Sequence, residues 1–176
     1  KPRNLVVTDM EGQVVEGELF PSSDLPTHLI LYQSFPSLGG VVHTHSRFAV
    51  AWAQANQEIP VLGTTHADYF YGPVPTTGLM EADEIETDYE QNTGNVIVRR
   101  FKELDPVTMP AALVTGHGPF CWGPSVPEAL RNALLLEEAA RIAYYTLTLN
   151  SSAPTITQPL LDKHFLRKHG PSAYYG

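Results

Sequence analysis

The sequence predicts a single α/β domain, and three observations carry that prediction. Short apolar runs of strand length, such as Val41 to Thr44 and Ala111 to Thr115, end in histidine or glycine. Segments with helical spacing alternate with them, the longest running from Ser125 to about Leu149. At 176 residues, 43% of them hydrophobic, the chain can bury one substantial core and is short enough for one domain over residues 1–176.

Leu5 to Thr8 and Val14 to Val15 flank Asp9-Met10-Glu11-Gly12 and read as a β-hairpin with a glycine-containing turn. After Pro21-Ser22-Ser23-Asp24, Leu29, Ile30, Tyr32 and Gln33 fall at helical spacing. A helix over Pro26 to Phe35 is therefore expected, with Ser23 or Asp24 as its cap. Val41 to Thr44 reads as strand, and Ser46 is placed to cap a helix whose apolar positions Phe48, Val50, Ala51 and Ala53 run to about Ala55. Ile59 to Leu62 reads as a short buried strand, Gly72 to Gly78 as a proline-rich loop, Asp83 to Tyr89 as helix and Asn95 to Phe101 as strand. The apolar strand Ala111 to Thr115 runs into Gly116-His117-Gly118-Pro119, where glycine permits a tight turn. Ser125 followed by Glu128 reads as a capping box that opens the longest helix. A last short helix, Leu160 to Lys168, precedes a Gly-Pro tail ending in Tyr174-Tyr175-Gly176.

His43 and His45 stand at i and i+2 at the end of a strand, a spacing that projects both imidazoles from one face toward one ion. An isolated His-x-His is also an ordinary hydrogen-bonded pair, so the context decides. His117 lies at another strand end between glycines that clear space, and Asp24 lies at a helix entrance where a carboxylate is favoured. Three imidazoles and a carboxylate suit Zn²⁺, and the same donors accept Mn²⁺ or Co²⁺. The blander role for Asp24 is a simple helix cap, and the two roles are compatible. His66-Ala67-Asp68-Tyr69 follows a short strand, a place for an acid or base facing a pocket or for a turn aspartate beside a supporting histidine. The cationic stretch Arg167-Lys168-His169 reads as a solvated helix face, and Tyr175 by itself reads as a frayed terminus.

The 11 basic and 19 acidic residues leave a formal charge of -8 with no basic stripe, which argues against a protein that binds nucleic-acid phosphates. Cys121 is the single cysteine, so no intramolecular disulfide framework forms and a reducing compartment, the cytoplasm, is expected. No apolar run approaches the roughly 20 residues of a membrane span. Asp9, Glu11 and Glu16 interrupt the opening segment where a signal peptide would be apolar.

Pro21 to Asp24 (Pro-Ser-Ser-Asp), Gly39 to Ser46 (Gly-Gly-Val-Val-His-Thr-His-Ser), Gly63 to Phe70 (Gly-Thr-Thr-His-Ala-Asp-Tyr-Phe), His117 to Phe120 (His-Gly-Pro-Phe) and Asp162 to Gly170 (Asp-Lys-His-Phe-Leu-Arg-Lys-His-Gly) together closely resemble the L-ribulose-5-phosphate 4-epimerases. These belong to the class II aldolase and adducin superfamily, and the likeness runs from about Asn4 to Gly176. The resemblance implies a three-layer α/β/α class II aldolase-like domain with a mainly antiparallel central sheet, in a cytoplasmic homotetramer with sites between subunits. It implies that His43, His45 and His117 are metal ligands, that Asp24 is the metal-associated carboxylate, and that Ser22 and Ser23 touch the substrate phosphate. Asp68 and Tyr175 correspond to the acid/base pair, with Tyr175 delivered from a neighbouring subunit.

The implied substrate is a phosphorylated pentulose, interconverted between L-ribulose 5-phosphate and D-xylulose 5-phosphate. The C4 hydrogen is not adjacent to the C2 carbonyl, so its simple removal would leave a carbanion without an electron sink. Cleavage of C3–C4 avoids this by making a dihydroxyacetone enediolate and glycolaldehyde phosphate, with the enediolate charge stabilised by a Lewis acid. The aldehyde rotates, the bond re-forms on its other face, and groups on either side take and return the hydroxyl proton. Aldolases of the superfamily, such as L-fuculose-phosphate enzymes, typically carry Glu at the position of Asp24 and lack the His-Ala-Asp-Tyr-Phe and tail combination, so Asp24 favours epimerisation. An adducin-like structural domain would leave the three histidine positions free to be apolar, and a structural zinc site fits poorly with the loop setting and carboxylate. Family members also carry an N-terminal segment with Gly-Asn-Val-Ser and Lys-Pro-Ser-Gly loops that hold phosphate. Here Lys1-Pro2 is followed by Arg3-Asn4, so that segment is expected to lie outside this chain.

Overall fold

The computed structural model describes residues 4–175, so Lys1-Pro2-Arg3 and Gly176 lie outside the described residues. The hairpin pairs β1 (Val7–Thr8) with β2 (Val14–Glu16) antiparallel. The Asp9 carboxylate closes its turn by accepting from the amides of Glu11 at 3.1 Å and Gln13 at 2.8 Å. The main sheet contains β3 (Gly40–His43), β4 (Ala111–Val114) and β5 (Gly118–Gly123) in the order β3-β5-β4, with both pairings antiparallel. His43 is opposite Phe120 in this register, and Gly40 is opposite Gly123.

Helices α1 (Leu25–Ser34), α2 (Arg47–Gln54), α3 (Thr64–Ala67), α4 (Ala82–Glu86), α5 (Tyr89–Arg100), α6 (Val126–Leu149) and α7 (Gln158–His169) surround this sheet. Strand alternation sends Phe120 and Trp122 of β5 to one face. There Phe120 meets the edge of His28 on α1, and Trp122 meets Phe35 and Phe101, which follow α1 and α5. The opposite face lies under α6, where a Cβ on Gly123 would come within 2.9 Å of Glu128 and one on Gly40 within 2.6 Å of Val126. Helices thus cover both faces of an antiparallel sheet, the layered α/β arrangement expected. Phe120, Trp122, Leu31, Ile97, Leu113 and Leu136 are fully buried in the core, each contributing about 1.5–3 kcal/mol by leaving water. Among the described residues no helix is long and apolar enough to cross a membrane.

Several elements differ from expectation. Of Asn95 to Phe101, expected as strand, residues 95–100 form the C-terminal half of α5 and Phe101 opens the 3₁₀ turn Phe101–Glu103 that follows it. Thr93, Gly94, Val96 and Ile97 are its buried residues, a helical face, and Gly94 lets α5 approach Ile30 of α1 closely. A β-branched run of this length is ambiguous until a neighbour is packed against it. The helix expected over Asp83 to Tyr89 is interrupted at Asp88, which has a φ of 41° and separates α4 from α5. Ile59 to Leu62 contributes a single bridge, Ile59 to Val74, instead of a strand. The Gly118-Pro119 dipeptide, read as turn, opens β5, the central strand of the sheet. Ser125 accepts from the Glu128 amide at 3.4 Å, but the Glu128 carboxylate pairs with Arg131 rather than completing a capping box. The reciprocal box is formed by Glu81 and Glu84 at the start of α4.

Candidate metal centre

His43, His45 and His117 converge, their ligand nitrogens all within 4.8 Å of one another. His43 closes β3, His45 lies in the loop before α2, and His117 sits in the turn between β4 and β5, where Gly116 takes a φ of 74°. Antiparallel pairing of β3 with β5 is what brings the two segments together. The Nε2 atoms of His43 and His45 are 3.0 Å apart, and His43 stacks on Phe120 with 4.2 Å between ring centroids. His43 Nδ1 donates to the Pro119 carbonyl at 2.9 Å, which settles its tautomer and leaves the Nε2 lone pair facing the other imidazoles. Tetrahedral nitrogen ligands around Zn²⁺ stand roughly 3.4 Å apart, so this cluster fits a small divalent ion with modest adjustment.

Burial pushes the His43 and His117 imidazoles below their ordinary value of 6.5, partly offset by the negative charge of Asp24. Both are therefore neutral at physiological pH, the form that ligates metal. Asp24 occupies the N-cap position of α1 but makes no side-chain cap bond, so the simple capping role is not the one observed. Its carboxylate lies outside the 4.8 Å set while close enough to act electrostatically on His28, His43 and His117. Ser22 and Ser23 are exposed just ahead of α1, and Ser22 Oγ accepts from the Asp24 amide at 3.2 Å.

Asp68 and Tyr175 stand elsewhere. The Asp68 side chain is 16% exposed and faces α7, accepting from Arg167 at 2.9 and 3.2 Å and lying 3.0 Å from His164 Nδ1. Tyr175 is exposed, with its ring against Arg167 and Lys168 at 4.9 and 5.2 Å. The cationic stretch of α7 is thus partly folded back onto Asp68 rather than simply solvated. Among the described residues, no hydrogen bond or ring contact links Asp68 or Tyr175 to the three imidazoles.

A family model for the class II aldolase and adducin N-terminal domain matches residues 1–144. The chain belongs to the class II aldolase and adducin family. Relatives in this family named L-ribulose-5-phosphate 4-epimerase UlaF, from Salmonella paratyphi B and Salmonella typhi, are each 52% identical over all of this chain and 77% of their own length. Among solved structures, an L-fuculose 1-phosphate aldolase superposes with a TM-score of 0.74 at 21% identity, covering 93% of this chain and 71% of that one. An aldolase II superfamily protein from Pseudomonas syringae gives 0.74 at 19% identity, covering 97% and 67%. At those identities the two structures establish the class II aldolase fold.

Three neighbours of the centre escape a reading of the sequence. His28 lies one helical turn beyond Asp24, and that i,i+4 spacing is the signal that could have found it. Tyr89 places its hydroxyl 3.5 Å from His117 Nδ1, and Glu137 binds the start of α2; both meet the site only through tertiary packing.

Proposed function

We propose that this chain is a metal-dependent L-ribulose-5-phosphate 4-epimerase that acts by cleaving and re-forming the C3–C4 bond. The observation that carries the reading is the convergence of three imidazoles near a carboxylate free of any capping bond, in a chain aligned from end to end with relatives that bear this name. His43, His45 and His117 would hold the ion, with Asp24 beside them; Zn²⁺ suits the donors best, and Mn²⁺ or Co²⁺ are alternatives. The bound ion would supply positive charge against the oxyanion that develops when the C3–C4 bond opens. His43 keeps its ligand nitrogen aimed through the Pro119 carbonyl, and Tyr89 braces His117. Ser22 and Ser23, at the approach to α1, would take the phosphate, where helix amides also favour an anion. Asp68 and Tyr175 would take and return the C4 hydroxyl proton from opposite faces of the aldehyde.

The separation of Asp68 and Tyr175 from the imidazoles supports a site completed by another copy of the chain, as in a cytoplasmic homotetramer with sites between subunits. The test is an assay of L-ribulose 5-phosphate with metal-loaded, chelated and His45→Ala protein. Formation of D-xylulose 5-phosphate that depends on metal and on His45 is expected. Epimerisation by the metal-free protein would refute the mechanism, and release of glycolaldehyde phosphate as the main product would identify an aldolase instead.

A further inference from the structure

We propose that Glu137 is a positioning residue for the metal centre: from α6 it anchors the first turn of α2 and so sets where His45 presents its imidazole. The proposal rests on the metal reading above and adds a residue to it. His45 is the exposed member of the cluster and lies in the three-residue loop between β3 and α2, so the two flanking elements govern its position.

On the strand side, α6 fixes β3 by direct backbone approach, since Gly40 packs on Val126 and Gly123 on Glu128 and Ala129. On the helix side, the local cap is not made. Ser46 holds the N-cap position of α2 without a capping bond, and its Oγ is buried with no partner among the described residues. The orphan amides are satisfied from α6 instead. Both carboxylate oxygens of Glu137 accept from Phe48 N, at 3.0 and 3.1 Å, and one accepts from Ala49 N at 2.9 Å. A carboxylate on helix-start amides is charge-assisted and complements the helix dipole. A second stitch follows one turn on, where Trp52 Nε1 donates to the Ala140 carbonyl at 3.0 Å. The same helix therefore packs on the start of the strand that leads into the His45 loop and ties down the helix that leaves it, and Glu137 makes the second of these connections. Among the described residues Glu137 has no hydrogen bond to the imidazoles, so it acts through α2.

The test compares the full chain with Glu137→Gln, which keeps shape and one acceptor oxygen, and Glu137→Ala. Asn132→Ala serves as a control, because it removes a bond from α6 to the Trp122 carbonyl at 2.8 Å, away from α2. Zn²⁺ and Co²⁺ affinities by chelator competition, the visible spectrum of the Co²⁺ form and urea midpoints are measured together. Both Glu137 variants are expected to lose about tenfold or more in metal affinity, with an altered Co²⁺ spectrum. Asn132→Ala is expected to lose stability with affinity and spectrum unchanged. Folded Glu137 variants with wild-type affinity and spectrum, or equal affinity losses in Asn132→Ala, would overturn the role of Glu137 alone. A wild-type chain that takes up no metal would instead remove the metal reading itself, and this inference with it.

Discussion

Gly40→Ala probes the packing that holds His43 in place. A Cβ at Gly40 would lie 2.6 Å from Val126 Cα, 2.7 Å from Val126 N and 2.8 Å from the Ser125 carbonyl carbon. Ordinary contacts of this kind need about 3.5–4.0 Å, so all three are about 0.7 Å or more too close. The atoms met are backbone of the first residue of a 24-residue helix and of its N-cap, and no side-chain rotation relieves them. Overpacking that side chains can absorb costs about 1–3 kcal/mol, so this substitution belongs at the upper end, about 3 kcal/mol. For a chain of this size that lowers Tm by roughly 6–12 °C. Two further glycines calibrate the result. At Gly94 the clash, 2.7 Å, is with the Ile30 side chain, and the better helix propensity of alanine offsets about 1 kcal/mol, leaving a net loss of about 1–2 kcal/mol. At Gly63 nothing lies within 4 Å and the backbone is extended, so alanine should change stability by no more than about 0.5 kcal/mol. Thermal and urea unfolding of the three full-length variants should rank Gly40→Ala as most damaging, then Gly94→Ala, then Gly63→Ala. A Gly40→Ala protein that melts with the wild type would refute the placement of α6 against β3.

Burial holds His66 down at about 4 with Nε2 donating to the Gly72 carbonyl at 2.8 Å. The unfolded chain binds this proton near 6.5 and the folded chain does not, so stability is full above that pH and falls by roughly 3 kcal/mol as the pH drops from 6.5 to 4. Urea midpoints that hold steady between pH 7 and 5 would contradict it. His43 and His117 are also pushed below 6.5, so metal occupancy should stay constant from pH 8 to 7 and be lost only on acidification below 6.5, as read by metal content after equilibration. Asp68→Asn and Tyr175→Phe should each lower kcat by about 10²–10⁴ while leaving metal content unchanged, since neither touches the imidazoles. Parallel loss of metal in either variant would show that the two sites are not separate.

The three-histidine part of the candidate site was legible because its signals are local. The i,i+2 pairing of His43 and His45, and the glycines around His117, are visible over a few residues, and all three imidazoles do converge. The Gly39-Gly40 pair acquires its reason only in three dimensions, where a Cβ at either position would strike the backbone of Pro124, Ser125 or Val126. Val96, Ile97 and Val98 carry no local mark that separates strand from helix; the face they bury against α1 makes that choice. Glu137 looks like any surface glutamate on a long helix until α2 is packed beside it.

The sequence by itself determined the candidate donor types, the alternation of strands and helices, and the position of each candidate ligand at or beside the end of an element. Those features follow from residue type and short-range periodicity, which no distant neighbour can alter. Only the tertiary structure decided that β5 lies between β3 and β4, that the histidines of two separate segments share one centre, and that α6 packs on the start of β3 and anchors the start of α2. It also placed Asp68 and Tyr175 beside α7, apart from that centre. Each of these depends on pairing and close packing between residues far apart in the chain, where the deciding energy is contact between surfaces and not the preference of any one segment.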